Sequence, residues 1–146
     1  MTSTNTLTSL ILEPQQNANA SIIWMHGLGA NAHDFEPIVP EIVLNSGTHL
    51  RYIFPNAPVK KITINAGMPM NAWYDITELD LSQRNEDEPG IKESSRLIQN
   101  LIDQEIANGI PSKRILLAGF SQGGAIALQA GLSYHQRLAG IIALSC

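Results

Sequence analysis

The stretch that most constrains this chain is residues 115–127, Ile-Leu-Leu-Ala-Gly-Phe-Ser-Gln-Gly-Gly-Ala-Ile-Ala. A short apolar run, read as a strand over residues 114–118, meets a G-x-S-x-G turn centred on Ser121. A helix built from small residues is then expected over 123–132. The bare pattern would match roughly one chain in twenty of this length, with Gly near ~7% of residues and Ser similar, so the flanking context carries the reading. A serine that must project from a sharp strand-to-helix bend needs glycine two positions before and two after, where side chains would collide. The helix that follows aims free N–H groups at the bend, and the Gln122 amide is placed to stabilise an oxyanion.

The rest of the chain alternates strand and helix signals, which predicts an α/β fold with a mostly parallel sheet flanked by helices. Strands are expected over residues 7–12, 20–25, 50–54 and 138–144. A helix is expected over 34–45, with Pro37 suited to its first turn and Pro40 poorly placed, and another over 91–107. In the second, Ile91, Ile98, Ile102 and Ile106 recur at helical spacing and Gly109 with Pro111 ends the run. Residues 59–81 hold no period and read as a long loop. Its Met68, Met70, Trp73 and Tyr74 argue for a functional loop rather than a disordered one.

His26-Gly27-Leu28-Gly29 follows the 20–25 strand. Alone it reads as an ordinary strand-end turn with a satisfied histidine. With Ser121 downstream it reads as the loop that supplies a second oxyanion donor, the Leu28 amide.

Composition narrows the classes further. The formal charge of −4 gives no footprint for nucleic acid, and the Lys60–Lys61 pair reads as solvated surface. The single cysteine is Cys146, so no internal disulfide forms, and no cysteine–histidine cluster suggests zinc. Neither a metal nor another cofactor is indicated. The N-terminus lacks the basic start and apolar core of a signal peptide, and no apolar run approaches the ~18 residues of a membrane span. A cytoplasmic location is the default expectation.

Five stretches together resemble the carboxylesterase and acyl-protein thioesterase family of small α/β-hydrolases: residues 24–30 (Trp-Met-His-Gly-Leu-Gly-Ala), 54–58 (Phe-Pro-Asn-Ala-Pro), 73–76 (Trp-Tyr-Asp-Ile), 109–111 (Gly-Ile-Pro) and 119–125 (Gly-Phe-Ser-Gln-Gly-Gly-Ala). The resemblance implies Ser121 as nucleophile, Leu28 and Gln122 as oxyanion donors, and Trp73 beside the acyl-binding groove. The residues themselves also allow Trp73 and Met70 simply to pin their loop to the core. The implied substrates are a small ester, an acyl-thioester or a lysophospholipid. Asp75 precedes the serine, whereas the fold's chain order is serine, acid, histidine, so it is read as structural.

The departure from the family lies after Ser121. The 25 residues that follow contain no Asp or Glu, all thirteen acidic residues lying at or before Glu105. Their one histidine, His135, is expected at the far end of a helix some ~15 Å long, against a proton-transfer reach of ~3 Å. His26 is read as scaffold, and His33 and His49 fall in polar connections. The chain is therefore expected to be the N-terminal portion, residues 1–146, of one α/β-hydrolase domain, lacking the C-terminal strands and helices with the triad acid and histidine. Three readings follow: the nucleophile half of a serine esterase, inactive by itself; a non-catalytic acyl- or lipid-binding module; or a misfolded truncation product. The uncovered final strand is expected to favour self-association.

Overall fold

The computed structural model describes residues 7–77 and 86–146. The polar start at residues 1–6 and residues 78–81 of the expected loop lie outside them. Five strands form the main sheet, in the order β1 (Ser9–Leu12), β3 (Leu50–Pro55), β2 (Ala20–Met25), β6 (Ile115–Phe120), β7 (Gly140–Leu144). All neighbours are parallel except β1, which runs antiparallel to β3. This is the expected α/β-hydrolase sheet.

Period-two alternation divides the core. Ile23, Met25, Ile53, Ile115 and Leu117 point to one face, where α1 (Glu88–Ala107) brings Ile98, Leu101 and Ile102 and α2 (Gln122–Ser133) brings Ile126, Ala127 and Ala130. Ile22, Trp24, Tyr52, Phe54 and Ala118 point to the other face, covered by Phe35, Val39 and Ile42. Helix α1 starts earlier than its apolar stripe, because the Asp87 side chain caps the Gly90 amide at 3.1 Å and Pro89 suits the first turn.

Two expectations are corrected. The 34–45 segment is no α-helix: it forms a 3-10 turn, Glu36–Glu41, with i→i−3 bonds such as Ile42 N–H to the Val39 carbonyl at 3.1 Å. Pro40 has no N–H to give and its ring clashes with the α geometry. The stretch after residue 58 is not irregular throughout, since β4 (Val59–Ile62) and β5 (Met68–Asn71) form an antiparallel hairpin. Its turn passes through Ala66 and Gly67 at positive φ, 54° and 71°. The alternation that would announce these strands is missing because Val59 and Met68 are both exposed.

Strand β7 is the last in the sheet, with Ile142 and Leu144 exposed. At the sheet centre, chain order reverses: from β2 the sheet continues to β3 on one side, while β6 leads to β7 on the other. Ligands in open α/β sheets bind beyond the strand ends at such a switch point. The register pairs Met25 with Gly119, so the loops leaving β2 and β6 emerge side by side. Those loops are the His-Gly-Leu-Gly turn and the serine bend.

Candidate active site

Ser121 sits at the cap of α2 with φ 54° and ψ −118°, a conformation L-residues avoid, costing about 1–3 kcal/mol. The bend is held on both sides. The Ser121 amide donates to the Leu144 carbonyl at 2.8 Å, and its own carbonyl accepts from the Gly124 and Ala125 amides at 3.0 and 3.2 Å. Both glycines are required by contact. A methyl on Gly119 would collide with the backbone of Gly123 and Gly124, and one on Gly123 would lie 2.5 Å from the carbonyl oxygens of Met25 and His26. The serine itself is exposed.

The second loop is built against this bend. Gly27 packs against the Phe120 ring, leaving 3.2 Å for any added methyl. Gly29, at φ 77°, donates its amide to the Asn71 carbonyl at 2.9 Å, and Asn71 Nδ2 donates to the Ala30 carbonyl at 3.1 Å. The β4–β5 hairpin therefore clamps the loop. Among the described residues, neither the Leu28 amide nor the Gln122 amide is spent on a backbone hydrogen bond. For Gln122, the first residue of a helix, that freedom is structural.

Trp73 does not stand where its expected role needs it. The ring is completely buried, so it offers no surface to an acyl chain. Instead its backbone N–H donates to Gln122 Oε1 at 2.7 Å, its indole N–H donates to the His26 carbonyl at 2.8 Å, and its carbonyl accepts from the Ser94 hydroxyl. Gln122 Nε2 donates in turn to the Tyr74 carbonyl at 2.7 Å. The buried Gln122 side chain is thus a functional group that the motif's spacing did not announce, and no sequence signal marked Asn71 either. Asp75 is structural as read, accepting from the Thr63 amide at 2.8 Å and from the Thr63 hydroxyl, bonds that hold its carboxyl below the usual range.

No histidine is left over as a base for Ser121. His26 is buried, and its Nε2 accepts from the Ala57 amide at 3.0 Å, which makes Nδ1 the protonated nitrogen, donating to the Gly27 carbonyl at 2.6 Å. Both nitrogens are committed. His33 pairs with Glu36 at 2.7 Å on the surface, His49 precedes β3 at the end of the sheet opposite Ser121, and His135 lies beyond the C-terminus of α2, its ring tilted against Tyr134. Among the described residues no group of three or more His, Cys, Asp or Glu could hold a metal, and no helix is long and apolar enough to cross a membrane.

Burial pushes the His26 pKa below its ordinary value of 6.5, against smaller opposing effects of the Gly27 bond and the Asp34 charge. The neutral ring therefore stabilises the fold fully above pH 6.5. That contribution is lost as the pH falls from there towards the depressed value, because the unfolded chain binds the proton first. Urea unfolding from pH 7.5 to 5 should show stability falling, by at most about 1.4 kcal/mol per pH unit from this group. A His26→Gln variant should lose that component of the slope, and an unchanged slope would disprove the assignment.

Comparison with known proteins agrees with this geometry. The phospholipase/carboxylesterase family model matches residues 7–146. Acyl-protein thioesterase 1 of Schizosaccharomyces pombe is 44% identical over 136 residues, covering 93% of this chain and 59% of the relative. Its namesake from Cryptococcus neoformans is 38% identical over 141 residues, covering 95% and 59%. The crystal structure of Arabidopsis thaliana SOBER1 superposes with a TM-score of 0.78 at 33% identity, covering 85% of this chain and 60% of that one. Zea mays acyl-protein thioesterase 2 gives 0.72 at 28% identity, covering 85% and 50%. The chain spans about three fifths of the length of the curated relatives it matches. With the bend at Ser121, the neighbouring glycine loop and a family match over residues 7–146, the chain belongs to the phospholipase/carboxylesterase family of α/β-hydrolases.

Proposed function

We propose that Ser121 is the nucleophile of an acyl transfer on carboxylic esters or thioesters. The observation that carries this reading is the strained bend that exposes a hydroxyl next to a loop with an uncommitted amide. The Ser121 oxygen attacks the acyl carbonyl, and the Leu28 and Gln122 N–H groups hold the oxygen that becomes negative. Collapse expels the alcohol or thiol and leaves an acyl-serine, which water then hydrolyses. The serine proton needs an acceptor, and among the described residues the nearby histidine, His26, is fully committed, while no acid follows Ser121 in the sequence. On this reading the described residues supply the nucleophile and the oxyanion donors, and the base is supplied from outside the described residues. Ester, protein thioester and lysophospholipid all require the same attack. The relatives named acyl-protein thioesterase favour an acyl-thioester.

The 146-residue polypeptide is expected to leave short p-nitrophenyl esters intact and to resist labelling by a fluorophosphonate. Stoichiometric labelling of Ser121 would overturn the claim that no base is present. A chimera that continues into the C-terminal two fifths of the Schizosaccharomyces pombe relative is expected to turn such esters over. Activity should fall on the order of 10^5-fold or more in Ser121→Ala. A folded chimera whose activity survives that change would sink the nucleophile assignment.

A further inference from the structure

The two amides read as oxyanion donors belong to segments far apart in the chain, the turn after β2 and the first residue of α2. One residue touches the supports of both. On the α2 side, the Trp73 backbone N–H donates to Gln122 Oε1 at 2.7 Å, while Gln122 Nε2 donates to the Tyr74 carbonyl at 2.7 Å. Both ends of the carboxamide are used, which locks the side chain of the very residue whose amide is read as an oxyanion donor. On the β2 side, the Trp73 indole N–H donates to the His26 carbonyl at 2.8 Å. The His26 ring lies 5.4 Å from the indole, centroid to centroid, and closes onto the Gly27 carbonyl at 2.6 Å. The remaining polar atom of Trp73, its carbonyl, is held by Ser94 of α1.

This arrangement is more than core filling. A phenyl ring would occupy much of the space, but only an indole can donate to the His26 carbonyl from inside the core. We propose that Trp73 is a positioning residue: bracketed between the Gln122 carboxamide and the His26 carbonyl, it sets the spacing between the Leu28 and Gln122 amides. The proposal rests on the reading of Ser121 as nucleophile for its purpose, though the coupling itself is a property of the folded chain. Buried polar links of this kind act together, so cutting either end releases the whole bracket.

The test uses the 15N-labelled 146-residue chain and the backbone resonances of Leu28, Gly29, Gln122 and Gly123. Trp73→Phe cuts the indole link, and Gln122→Met cuts the carboxamide link while keeping the volume. Each is expected to shift amides at both loops and to speed hydrogen exchange of the Gly29 amide about three- to tenfold, the loss of roughly one hydrogen bond. The double variant should shift the Leu28 amide no further than the larger single change. Ile102→Val, a change in the same core, should lower the melting temperature and leave these amides in place, which separates coupling from general loosening. If Gln122→Met leaves Leu28 unmoved, or if the two changes simply add, the bracket is refuted. Should Trp73→Phe fail to fold, the Gln122→Met and Ile102→Val pair still decides the matter. These shifts need no turnover, so a chimera that stays active after Ser121→Ala would end the nucleophile reading without touching this result.

Discussion

A Gly123→Ala variant is expected to lose about 3 kcal/mol of stability, the upper end of what overpacking a core usually costs. In most helices the change gains about 1 kcal/mol, because alanine is the better helix former. Here the new methyl would stand 2.5 Å from two carbonyl oxygens, those of Met25 and His26. Both belong to backbone at the end of a central strand, and neither can rotate away. Helix α2 would have to lift off the sheet, pulling Ser121 and the Gln122 amide with it. Gly131→Ala in the same helix is the control. Its methyl meets the tip of the Ile141 side chain, also at 2.5 Å, but that chain can change rotamer, so the cost should stay within about 1 kcal/mol. Urea unfolding of the two variants decides the point. Equal losses would mean that backbone contact is not what demands glycine at 123.

Trp73→Ala is expected to cost about 3–5 kcal/mol, the usual range for emptying a large aromatic site. The ring is completely buried, and its loss also leaves the His26 carbonyl without its donor inside the core. The neighbouring His26 ring would lose its aromatic neighbour and face a void. Denaturant unfolding measures this directly, and a loss below about 1.5 kcal/mol would show that the core closes over the gap. Trp73→Phe should be milder in stability while still releasing the bracket, because it keeps the aromatic volume and removes only the donor.

Much of the site was legible locally. Glycine at 119 and 123 around a serine, after an apolar run, forces a strand–bend–helix, and the strained φ of 54° at Ser121 is that requirement realised. The stripe of Ile91, Ile98, Ile102 and Ile106, ended by Gly109 and Pro111, located α1 because one apolar face and one stop signal suffice to mark a helix. The β4–β5 hairpin escaped because apolar Val59 and Met68 face solvent while Ile62 alone is fully buried, so apolar residues sit on both sides of the ribbon and imprint no alternation. The 3-10 turn at Glu36–Glu41 escaped for the opposite reason: the apolar spacing of a helix was there, and Pro40 overrode it.

Trp73 shows where local reading stops. A tryptophan among methionines in a stretch without period suited either a groove or a core anchor, and nothing near it in the chain could choose. The choice was made by Gln122 and His26, which come into reach only because β2 and β6 pair in register. The histidines follow the same rule. Residue identity showed that no acid and a single histidine follow Ser121, but that His26 is neutral and committed through both nitrogens depends on Ala57 and on burial.

What the amino-acid order determined by itself was therefore the bend, the helix after it, the glycine loop and the absence of any later acid. These depend on steric rules acting over a few residues, or on simple counting. What the tertiary structure decided was which polar groups meet across the sheet: the Trp73 bracket, the Asn71 clamp and the tautomer of His26. Hydrogen bonds join atoms that are near in space, and nearness between segments some fifty residues apart exists only once the strands have paired.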